Sequence, residues 1–113
     1  MATATFVHDG NSVDYTPSSA VAAGDVIVQE DLIGIARTPI AANALGSLAV
    51  AGVFDVPKAT GGGSAIAAGA SVYWDVADSE AKADSESGAN KLIGKVVKAA
   101  ADADATVRVR LSQ

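Results

Sequence analysis

His8 and Asp9 are neighbours, and an imidazole beside a carboxylate is the smallest pair that can shuttle a proton near neutral pH. Such a pair becomes catalytic only with a nucleophile, and the chain has no G-x-S-x-G turn to present one. His8 is the single histidine and precedes Asp9-Gly10, a turn pair, so it reads as a surface histidine. Carboxylates cluster twice, at Asp75, Asp78 and Glu80 and at Asp102 and Asp104. A calcium loop sets several carboxylates around a glycine at fixed intervals, and neither cluster has that spacing. Both read as solvated turns. The absence of cysteine removes disulfides, thiolate metal sites and cysteine nucleophiles together.

The stretch Gly88 to Lys95 superficially resembles a phosphate loop. A true one needs four residues between its glycines and a Ser or Thr after the lysine to hold magnesium. Here five intervene and Val96 follows, so no nucleotide site is expected. Gly61, Gly62 and Gly63 are followed by no helix pattern and lack the positive helix terminus that binds phosphate. Tyr73 and Trp74 could stack a sugar or a base, yet strand alternation turns one of them inward. Arg108 and Arg110 share the outward face of a strictly alternating segment, a plausible contact to a partner on an acidic protein. No enzyme, no cofactor and no metal site is expected.

These residues must be held by strands. Phe6-Val7 and Val13 to Thr16 read as a hairpin turning at Asp9-Gly10. Asp25 to Glu30 alternates, Leu32 to Ala36 is apolar with Gly34 as a bulge signal, and Ser47 to Val56 alternates as one strand up to Pro57. Lys58 to Gly69 reads as a flexible loop. Ser71 to Ala77 puts Val72, Trp74 and Val76 on one side, and Asp78 to Asn90 reads as a solvated hairpin. Leu92 to Lys98 and Thr106 to Leu111 are further strands, and the alanine-rich Ala99 to Ala105 leaves room for one helical turn. Ser-Ala-(Val/Ile)-Ala-Ala-Gly occurs twice, at Ser19 and again at Ser64, each time ahead of a β-rich run. That is a turn delivering the chain into a strand, with glycine taking the angle that alanine cannot. The expected fold is mainly β, a small single-domain barrel or sandwich with glycine turns and little helix.

Composition sets the remaining bounds. The chain of 113 residues fits one domain, and half of it is apolar, but 25 of those residues are alanine. So thin a core invites completion by a partner, because whatever binds only the folded form stabilises it. A net charge of −5 with scattered basic residues gives no footprint for nucleic acid or an anionic membrane. MATATFVHDG lacks the pattern of a signal peptide, and the apolar stretch Ala36 to Phe54 carries Arg37, Pro39 and Asn43, so no membrane span is expected.

Laid in order, VDYTPSSAVAAGDVIV, LIGIA, LAVAGVFDVPKA, AIAAGASVYWD and LIGKVVKAAADADATVRVRL resemble the small bacteriophage capsid cement, or decoration, proteins. GVFDVPKA at Gly52 to Ala59 and AAGASVYWD at Ala67 to Asp75 carry most of the likeness, which runs from Phe6 to Leu111. Members of that family have been tagged as predicted RecA/RadA-type phage recombinases, a label the failed phosphate-loop test does not support. The resemblance implies a structural virion protein that binds the outside of an icosahedral head, with the major capsid protein as partner and a homotrimeric state. It implies assembly in the host bacterial cytoplasm and a final place on the outer capsid surface. A sugar-binding β-sandwich module using Tyr73 and Trp74 is the alternative, and an ATP-dependent recombination factor a more distant one. Residues 1–5 are expected to form a flexible arm and residues 6–113 the β-rich domain. The expected contact residues are Ala2, Thr3, Ala4, Thr5 and Phe6 of the arm together with Arg108 and Arg110.

Overall fold

A computed structural model describes residues 3–112; Met1, Ala2 and Gln113 lie outside the described residues. Nine strands follow one another: β1 (Ser12–Tyr15), β2 (Val26–Gln29), β3 (Leu32–Ile35), β4 (Gly46–Ala49), β5 (Val53–Pro57), β6 (Ser71–Asp75), β7 (Glu80–Lys82), β8 (Lys91–Lys98) and β9 (Thr106–Leu111). No helix occurs among the described residues. The strands form two antiparallel sheets, ordered β1-β4-β3-β2 and β5-β9-β8-β6-β7. The sheets pack face to face as a sandwich. In the larger sheet a single bridge, Lys58 to Ala81, links the two edges without closing a barrel.

The two sheets are built on one plan. In the first half Val21 exchanges two backbone hydrogen bonds with Ile40; in the second Ile66 does the same with Ala100. The turn Ala22–Asp25 follows Val21 and is closed by Asp25 N–H donating to the Ala22 carbonyl, with Gly24 at φ 91°. Ala67–Ala70 follows Ile66 in the same way, with Gly69 at φ 86°. This is the geometry of a type II turn, which needs a positive φ at its third residue and explains the repeated glycine. Gly24 N–H then donates to Ala36 and Gly69 N–H to Val96. Each half is also closed at its end, by Val50 N–H to Asn11 and by Leu111 N–H to Gly52. Thus β1, β2, β3 and β4 correspond to β5, β6, β8 and β9, and β7 is an addition unique to the second half.

Packing follows from that plan. Ile33 and Ile35 of β3, with Val26 and Val28 of β2, join Val56, Val72, Trp74, Ile93, Val96, Val107, Val109 and Leu111 in the main core between the sheets. The opposite face of the smaller sheet keeps its own cluster of Val21, Ala36, Ile40 and Leu48. Sizes are exchanged between the halves at equivalent places. Ile40 fills the space over Gly46, where a Cβ would come within 2.6 Å of it, whereas the second half has small Ala100 and large, buried Val107.

Several expectations are corrected. Phe6-Val7 forms no hairpin with Val13 to Thr16; β1 pairs with β4 instead, Val13 opposite Leu48. Ser47 to Val56 is two strands in different sheets, divided at Gly52 with φ 117°. Alternation continued across that break because it reports faces and is blind to which sheet owns them. Gly34 makes no bulge: it lies in regular register opposite Ile27, and its missing side chain lets Leu48 close in, 2.6 Å from where a Cβ would stand. Lys58 to Gly69 is fastened by backbone bonds from Lys58 to Ala105, Gly61 to Asp102 and Ile66 to Ala100. Ala99 to Ala105 forms a turn, closed by Asp104 N–H on Ala101, and no helix. Val76 leaves the core, because β6 ends at Asp75, and stands 60% exposed.

Candidate docking surfaces

The last strand alternates as its sequence demands, with Val107, Val109 and Leu111 buried and Arg108 and Arg110 outward. On the same outward face the ladder sets Arg110 opposite Lys95 and Arg108 opposite Lys98. Four of the eight basic residues of this acidic chain therefore meet on two central strands. Like charges directly opposite one another are unfavourable in a sheet. Part of that repulsion is relieved across β5, where the Arg108 guanidinium donates to both oxygens of Asp55 at 2.9 and 3.2 Å. The guanidinium holds the Asp55 carboxyl below its ordinary range, and Asp55 in turn raises Arg108. Lys95 donates to the Ser71 hydroxyl at 2.8 Å. Arg110 has no ion-pair partner among the described residues, and its neighbour on β5 is the exposed Val53.

Thr3 to Asn11 carries no strand and lies exposed, with Phe6 80% and Val7 81% accessible. Of the arm residues expected to make contacts, Thr3, Ala4, Thr5 and Phe6 are therefore unburied, and Ala2 lies outside the described residues. His8 spends its Nδ1 as acceptor for the Gly10 N–H at 3.0 Å, a local turn contact.

The acidic clusters turn out to be turn chemistry. Asp75 is buried and accepts from the Ala77 and Asp78 N–H groups and from Lys82 Nζ at 2.7 Å. Lys82 reaches Asp78 at the same distance, so one ammonium supplies the cation for both carboxylates. The Lys82 ammonium pulls the Asp75 carboxyl below its ordinary value, and the two carboxylates raise Lys82. Asp102 accepts from the Ala65 N–H, fastening the glycine loop to the last turn, and Asp104 accepts from the Ala101 N–H within that turn. Buried Lys58 donates to the carbonyls of Ala59 and Asp104 at 2.7 and 2.9 Å, a clamp that sequence reading missed. Nothing local distinguishes this lysine from an exposed one.

Trp74 is buried in the main core and Tyr73 lies half-buried on the other face, so the two rings form no joint platform. Gly94 sits inside β8 against the Arg110 backbone, where no loop could wrap a phosphate. An open groove of about 570 Å³ runs along β2 and is lined by Val26, Val28, Trp74, Val76 and Ser79 among others.

The scan against protein families matches residues 7–111 to the family described as phage cement protein. The chain belongs to that family. Membership carries a structural role in a bacteriophage particle, in association with the capsid. No curated protein and no solved structure matches the chain. For a cement protein the surfaces of interest are the ones just described: a basic sheet face, an exposed arm and a groove beside a sheet edge.

Proposed function

We propose that this cement protein binds the outer surface of an icosahedral phage head as a homotrimer, stabilising the shell through contacts with the major capsid protein. The observation that favours this reading is the basic face of β8 and β9. Lys95, Lys98, Arg108 and Arg110 are gathered where they oppose one another, on a chain whose net charge is −5. An acidic partner surface offsets that repulsion, and such complementarity steers association and sets register. The arm residues Thr3, Ala4, Thr5 and Phe6 add apolar and backbone contacts at a second place. The fastened loops fit a structural part, since contacts made by ordered segments lose less entropy on binding.

The test is co-sedimentation of purified protein with expanded heads stripped of it. Arg110→Glu is expected to weaken binding roughly tenfold and to flatten its salt dependence, while thermal stability holds. Unchanged affinity in that variant, at low and high salt alike, overturns the assignment of this face. Sedimentation of the free and head-bound protein reports the copy number, and a monomer in both settings removes the trimer.

A further inference from the structure

The internal repeat leaves one place vacant. In the second half β6 is paired on both sides, by β8 and by β7. Its equivalent in the first half, β2, is paired by β3 alone and ends the sheet. The groove on that open side is lined by Gly24, Asp25, Val26, Ile27 and Val28 without a gap. A sheet face contributes every second residue, so five consecutive residues mean that the groove looks onto the edge itself. Its far wall is Trp74, Val76 and Ser79 at the β6–β7 turn.

This edge is also unguarded. Natural sheets protect their margins with lysine, proline or a bulge. β2 reads Val-Ile-Val-Gln, in regular register and without a charge. Asp25 accepts from Ala36, so by antiparallel alternation Ile27 faces β3 and the N–H and C=O groups of Val26 and Val28 point outward. The same chain carries an apolar segment with no strand of its own, in which Phe6 and Val7 are the two most exposed large apolar side chains among the described residues.

We propose that the free edge of β2 is a strand-acceptor site and that its occupant is Thr3–Val7 of a second copy of this chain. The added strand takes the place that β7 occupies in the other sheet, with Phe6 against Val76 and Trp74. Five residues extend about 17 Å, enough to cover the four residues of β2. Tyr15 of β1 also lines the groove, so the sheet curls toward its own free margin. Even so, the chain's own Thr3–Val7 carries no strand and stands exposed, off the β2 edge, which leaves the segment available to a neighbour and the edge available to a neighbour's segment. Donation from each copy to the next is a head-to-tail contact, which closes into a ring when the rotation permits. The proposal thus deepens the multi-copy part of the reading above and rests on that part alone.

The chain has no cysteine, which makes crosslinking clean. Ala4→Cys, on the same face of the added strand as Phe6, with Val76→Cys replaces two exposed side chains in the full-length protein, keeps the Phe6 anchor and leaves the core intact. Mild oxidation, of the free protein and of decorated heads, is expected to give covalently linked copies beyond the dimer on a non-reducing gel. Either single variant stops at the dimer. Hydrogen exchange is expected to slow at least tenfold at the Val26 and Val28 amides in the oligomer relative to dilute protein. Phe6→Ser, on an arm that touches no core, is expected to abolish both effects. Products closed within one copy, or no disulfide and no added protection in an oligomeric sample or on heads, overturn the proposal, as does a protein with no oligomer in either setting. Heads decorated normally by copies that never crosslink reject strand donation and leave the head-binding reading standing. Crosslinked rings that ignore heads do the reverse.

Discussion

The two halves of this protein run the same turn, bridge and hairpin plan and end with different margins. In the second half β7 covers the edge of β6, and Lys58 ties β7 back toward β5 by the bridge to Ala81. In the first half Glu30-Asp31 connects β2 to β3 directly, with no strand added and both margins open. The second half also holds most of the main core, including Trp74, whereas the smaller sheet's private cluster is four residues. Equal chain plans therefore carry unequal burdens. One sheet is finished within the chain, and the other is left with an edge that a neighbour can complete.

Equivalent glycines give the sharpest test of that difference. A Cβ at Gly94 would drive into the Arg110 carbonyl and the Ser112 backbone, neither of which can move without parting β8 from β9. Gly94→Ala is therefore expected to lose more than about 4 kcal/mol, seen as failure to fold cooperatively in urea. A Cβ at Gly34 would meet the Leu48 Cβ at 2.6 Å, which yields only with a small movement of β4, but the nearest main-chain atom, the Ala49 carbonyl, lies 3.4 Å away. Gly34→Ala is expected to cost about 1–3 kcal/mol, the range for overpacking. Equal losses at the two sites would break the comparison.

Trp74→Ala comes next, at about 3–5 kcal/mol in chemical denaturation, because it empties the core between the sheets. Its fluorescence in the intact protein is expected to be blue-shifted, with acrylamide reaching it only from the groove side.

The smallest effect concerns acid. The Lys82 ammonium and two backbone N–H groups hold Asp75 below its ordinary pKa. Its contribution is therefore complete above the unfolded carboxylate value, near 3.9, and is lost as pH falls through the lower folded value. Thermal melts below about pH 4 should show the wild-type protein losing stability with a steeper slope than Asp75→Asn. Parallel slopes would mean that this clamp does not distinguish the second half.

Much of the fold is legible along the chain. Strict alternation at Thr106 to Leu111 sorts Val107 and Val109 from Arg108 and Arg110 because a strand has period two and one face was to be buried. The repeated Ala-Ala-Gly turn is legible for a similar reason: only glycine takes φ near 90° without strain. The full repeat hides behind a changing offset. Leu32-Ile33-Gly34 recurs as Leu92-Ile93-Gly94, 60 positions on, while the turns recur 45 positions on, from Gly24 to Gly69. The 15 residues between the two offsets make room for β7.

Local patterns thus determined most of the inward faces, Val76 excepted, where the two glycine turns fall and that the fold is mainly β. Which strand lies beside which was decided only in three dimensions. β1 pairs with β4 across more than thirty residues, and Gly52 sends two halves of one alternating run into different sheets. The buried amine of Lys58 and the open edge of β2 arise from the same long-range choices. Side-chain period records burial at each position, whereas partnership depends on backbone groups that every residue carries alike.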